Sequence, residues 1–167
     1  MRIHFLSAAI AVSAAACSSS SSAPAGTTDS GPVGDSAGAS CTPAPNLGAV
    51  VNKDHDAAPP PAMTGGTIVD GVYTLTKMVQ YNGENGNTPH KETMVFAGGN
   101  GQVVGAKDGT GPDVIAYFSY SASGNDLTLT LTCGGSGTVK MKYTATATEL
   151  TTVNVGDVNE LHTFTKK

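Results

Sequence analysis

Residues 63–167 predict an all-β domain, an antiparallel meander barrel of eight strands, and three observations carry that expectation. Runs rich in β-branched and aromatic residues recur at nearly even spacing from Gly71 to the C-terminus, separated by glycine and asparagine clusters. No helical stretch intervenes, and the short connections favour antiparallel neighbours. Two runs alternate cleanly. Leu127, Leu129 and Leu131 share one face, continued by Cys133, with Thr128, Thr130 and Thr132 opposite; Val139, Met141, Tyr143 and Ala145 oppose Lys140, Lys142 and Thr144. One apolar and one wet face suit a closed meander, and closure removes exposed strand edges.

The elements follow in order. Val72–Tyr81 is the first strand, and the polar stretch Asn82–His90 is a loop. Lys91–Phe96 and Gln102–Lys107 flank Gly98-Gly99-Asn100-Gly101, a hairpin signal. Lys107–Pro112 turns the chain into Val114–Ser121. Gly124-Asn125 leads into Leu127–Cys133, and Gly134–Gly137 into Val139–Thr148. Leu150–Val155 and Leu161–Thr165 complete the set. Upstream, Leu47–Val51 is a short apolar patch, an extra strand or a plug against the barrel end. Pro59-Pro60-Pro61 imposes a stiff extended segment before the domain.

The first 16 residues have the order of an export signal: Arg2, the apolar Phe5–Val12, then Ala14-Ala15-Ala16. Cys17 follows directly, and this junction resembles the lipobox of bacterial lipoproteins, with Ala14 where leucine is usual. The resemblance implies a lipidated Cys17 as mature N-terminus, and hence a protein exported to the bacterial cell envelope and anchored there by lipid, the outer membrane being the expected site. No apolar run approaches the roughly 20 residues of a spanning helix. From Ser18–Ser22 to about Pro45 the chain is mostly Ser, Gly, Ala, Thr, Pro and Asp, too little to bury, so residues 17–62 read as a disordered tether. With Cys17 acylated, Cys41 and Cys133 remain as a disulfide pair in an oxidising compartment.

The strand set opening on Gly71-Val72-Tyr73 resembles a lipocalin-like domain, whose first strand carries a Gly-x-Trp motif closing the barrel floor. Tyr73 stands at the tryptophan position in a chain without tryptophan. Lys166 is the nearest counterpart of the arginine that lipocalins set against that ring. The resemblance implies a barrel able to hold a small apolar ligand or lipid.

The net charge of −4 is small, and the domain lysines are scattered; no nucleic-acid footprint is present. His55 lies between Asp54 and Asp56, a solvated cluster rather than a fixed metal site. His90 and Glu92 form a His-x-Glu pair without the Pro-Cys-x-x-Cys of zinc deaminases. His162, near Phe164, reads as a barrel or rim residue. Gly134-Gly135-Ser136-Gly137 is not a nucleophile elbow. Asn82–Asn87 offers oxygen ligands without EF-hand spacing. No metal, cofactor or catalytic set is assigned. The sequence therefore points to a non-catalytic envelope lipoprotein whose barrel binds a small apolar ligand or lipid. The alternative is a filled barrel that binds a protein or glycan through its surface.

Overall fold

The computed structural model describes residues 43–82, 88–154 and 159–167. Cys17, Cys41 and the export segment lie outside these residues, as does most of the Asn82–Asn87 loop. Among the described residues there are nine strands and no helix: β1 Lys53–Asp56, β2 Gly71–Tyr81, β3 His90–Ala97, β4 Asn100–Lys107, β5 Val114–Ser123, β6 Asp126–Cys133, β7 Thr138–Ala145, β8 Glu149–Asn154 and β9 Asn159–Lys166. Strands β2 to β9 pair antiparallel in sequence order, and β2 returns to β9, closing an eight-stranded, lipocalin-like barrel. β7 is shorter than its alternating pattern predicts. After Ala145 the Thr146 side chain accepts the Thr148 and Glu149 amides and turns the chain.

One end of the barrel is a floor. Tyr73, Phe96, Phe118 and Tyr120 meet edge to face there, over Leu75, Leu127, Leu150 and Phe164, all buried. The Tyr73 hydroxyl donates to Val69 O at 2.6 Å and the Tyr143 hydroxyl to Gly66 O at 2.7 Å, so residues 63–70 are tied across this end. Lys166 pairs with Tyr73, and its stem lies where a Gly71 side chain would be. Gly98 and Gly99, both left-handed, form the two-residue hairpin between β3 and β4.

A bulge in β2 sets which residues face inward. The β2–β9 register shifts between Leu75 and Lys77. Tyr73 and Leu75 face inward before the shift, and Met78 and Gln80 after it. Lys77 is left exposed, and Val79 and Tyr81 pack outside the barrel with Val153, Leu161 and Met63. A second shift places Phe118 opposite Leu131 but Tyr117 opposite Cys133. Phe118 and Leu131 line the interior, so Cys133 shares the outer face with Tyr117. It does not continue the leucine face, as strict alternation had implied.

Residues 44–56, within the expected tether, pack on the barrel. β1 adds in parallel to the far half of β2, and Val51 bridges to His90 on β3, so β1 fills the wall between β2 and β3. Leu47–Val51 is neither strand nor plug. It is a strap on the outer wall, where Thr93 Oγ1 accepts the Leu47 and Gly48 amides at 2.8 and 3.1 Å. A side chain on Gly48 would meet Glu92 O at 2.6 Å. The contact that the strap makes with β3 therefore depends on a residue without Cβ.

Candidate functional site

The end opposite the floor is the mouth, and its two halves differ in chemistry. The polar half is built by β9, β2, β1 and β3 side by side. Gln80 pairs with Glu160 and Met78 with His162 across β2 and β9. On the other side of β9, Asn154 pairs with Glu160 and Thr152 with His162. β1 sets Lys53 beside Met78, and β3 supplies His90 and Glu92. Cross-strand partners point to the same side of a sheet, so these side chains converge inside the wall.

Glu160 is the hub. Its Oε2 accepts Lys53 Nζ at 2.8 Å and its Oε1 meets His162 Nε2 at 2.7 Å. The histidine contact, then the lysine, hold its carboxyl at about 2. It is ionised at neutral pH, so His162 Nε2 carries the shared proton. The other ring nitrogen, Nδ1, lies 3.7 Å from Glu92 Oε2. Burial pushes the Glu92 carboxyl above the usual carboxylate range. His90 stands against the His162 ring, with centroids 5.9 Å apart. Burial, then its histidine and lysine neighbours, keeps its pKa below the ordinary imidazole value.

The other half of the mouth opens on an apolar cavity of about 270 Å³, walled by Met94, Phe118, Leu129, Leu131, Met141 and Phe164 among others. Glu92, Thr152 and Asn154 are its polar wall, so the cavity borders the charged cluster directly. Val139 lines it too and is 39% exposed, and Val114 at the mouth end of β5 is 67% exposed. Two exposed valines thus stand on the rim on this side.

Sequence reasoning read His90 and Glu92 as a pair, took His162 by itself, and set Lys53 in a tether. The structure brings all four together with Glu160, which sequence reasoning had not singled out. The available signal was a repeated pattern of polar residues two apart, His90-x-Glu92 and Glu160-x-His162, on strands whose next inward residues, Met94 and Phe164, are apolar. The structure does not join the Asp54-His55-Asp56 carboxylates to this cluster. Asp54 and Asp56 pair with the outward Val79 and Tyr81, so their side chains leave on the opposite face from His55. Gly71 and Tyr73 belong to the floor. Ser136 is exposed in the β6–β7 loop. Comparison with protein-family models, curated proteins and solved structures found no match.

Proposed function

We propose that this chain is an exported, lipid-anchored binding protein of the bacterial cell envelope, non-catalytic, whose barrel holds one small amphiphilic molecule. The observation that carries this reading is the apolar cavity of about 270 Å³ opening beside a fixed polar wall. Ligand sites are mostly apolar with a few placed polar groups. An apolar cavity of about 150 Å³ takes a benzene ring. The volume here suits one or two rings or a single short chain, and is too small for a lipid with two long chains. The body of the molecule lies against Met94, Leu129 and Phe118. Its polar end faces Glu92, Thr152 and Asn154.

Anchoring rests on the lipobox-like junction at Cys17. Cys17→Ser should move the protein from the membrane to the soluble fraction, and retention in the membrane would reject the anchor. The Cys41–Cys133 disulfide belongs to the same reading, since an exported chain enters an oxidising compartment; the described residues lead from near Cys41 toward Cys133. Ala44 N donates to Gln102 Oε1 at 2.9 Å, Gln102 pairs with Tyr117, and Tyr117 pairs with Cys133.

The test of ligand binding is native mass spectrometry of the chain from Ser18 onward, purified without detergent. A noncovalent adduct of defined mass, lost on denaturation, is the expected result. A bare polypeptide mass that persists after incubation with envelope extract would overturn the carrier reading.

A further inference from the structure

The polar half of the mouth has the donor set of a transition-metal site, which goes beyond the binding of a molecule in the cavity. His90, Glu160 and His162 each offer one donor atom, and the three lie within 4.8 Å of one another. Bonds of about 2.0–2.2 Å in tetrahedral geometry put donors roughly 3.3–3.5 Å apart.

We propose that His90, Glu160 and His162 bind zinc or a neighbouring first-row divalent ion, with a further coordination position open toward the cavity. Two imidazoles and one carboxylate suit such borderline ions and leave an open position in known chemistry. The hydrogen bonding around the three donors fits. Glu160 divides its oxygens, Oε2 to Lys53 and Oε1 to His162 Nε2. An ion would take the place of the proton now shared between Nε2 and Oε1, and that proton passes to Nδ1, so the imidazole stays neutral. His162 Nδ1 is then free to donate to Glu92 Oε2, now 3.7 Å away. A carboxylate behind a histidine ligand fixes its ring and raises its basicity. All three donors stand on paired strands of a closed barrel, so the arrangement is held in the absence of the ion, as a selective site requires. Lys53 opposes the ion by charge repulsion and sets how tightly it is held.

The test uses the untagged chain from Ser18 onward, stripped of metal and titrated with Co²⁺, then Zn²⁺. The expected result is a saturable visible cobalt band at one equivalent that zinc displaces. His90→Ala and His162→Ala should abolish the band, Lys53→Met should tighten binding, and His55→Ala should leave it unchanged. Glu92→Gln preserves shape and should weaken binding about tenfold or more, as loss of an outer-shell partner does. Tyrosine near-ultraviolet circular dichroism establishes that each variant is folded. If the histidine variants do not fold, Lys53→Met and Glu92→Gln decide the matter. No saturable cobalt band in the parent chain would overturn the site. So would binding that the folded histidine variants retain, or affinity that Lys53→Met and Glu92→Gln both leave unchanged.

Discussion

Thr93→Val probes the strap that joins the N-terminal segment to the barrel wall. Thr93 is fully buried, and its Oγ1 accepts two amides, from Leu47 at 2.8 Å and Gly48 at 3.1 Å, while donating to Asn46 Oδ1 at 3.1 Å. Valine keeps the shape and removes all three bonds. The Gly48 amide lies in a buried position and would keep only its long 3.4 Å bond to Asn46 Oδ1, and a poorly satisfied buried donor costs about 1–3 kcal/mol. The Leu47 amide is nearer solvent and turns to water, which costs less. The added methyl group offsets part of the loss, leaving a destabilisation of about 2 kcal/mol. Urea unfolding followed by circular dichroism is the assay. With a slope of about 1–3 kcal/mol per molar, the midpoint should fall by about 1 M. Gly48→Ala acts on the same contact through its 2.6 Å approach to Glu92 O, so the double variant should lose less than the two single losses combined. A midpoint shift below about 0.3 M, with the Gly48 amide still slow to exchange, would refute the claim that Thr93 holds the strap.

Three more tests address the interior and the rim. Ala116 lines the cavity, so Ala116→Phe should remove any native-spectrometry adduct while the barrel stays folded; an adduct of unchanged mass would place the ligand elsewhere. Glu160 sits at about 2 against an ordinary 4.5, so its contribution to stability is complete above 4.5 and is lost as pH falls toward 2. Stability measured across that window should therefore fall less steeply in Glu160→Gln than in the parent chain, and equal slopes would contradict the ion-pair geometry. Non-reducing peptide mapping should recover Cys41 and Cys133 in one linked fragment. If both thiols alkylate freely in the folded protein, the disulfide is wrong.

The eight barrel strands were legible because each run is short, alternating and bounded by turn residues, and such local signals place strands to within two residues except at the end of β7. The hairpin at Gly98-Gly99 belongs to the same class of local information, whereas the floor position of Gly71 and Tyr73 came from the resemblance to the lipocalin motif. The mouth was not legible, for three physical reasons. The bulge between Leu75 and Lys77 exchanges inward and outward faces along β2, and no alternation rule places it. Lys53 acts from a segment whose composition reads as tether and whose order comes from contacts with β2 and β3, not from its own residues. The pairs His90/Glu92 and Glu160/His162 lie about 70 residues apart and meet only because β1 and β2 stand between their strands in a closed wall.

The sequence by itself determined an all-β chain, the order and near-exact limits of its barrel strands, and the apolar faces that drive their closure. Those follow from period-two patterning and turn chemistry, which act within a few residues. Tertiary structure alone decided that β1 belongs to the wall and the segment before it straps onto that wall, that Cys133 faces outward, and that a lysine, two histidines and two carboxylates share one mouth beside an apolar cavity. Each of these depends on barrel register and closure, which are set by packing between residues far apart in the chain.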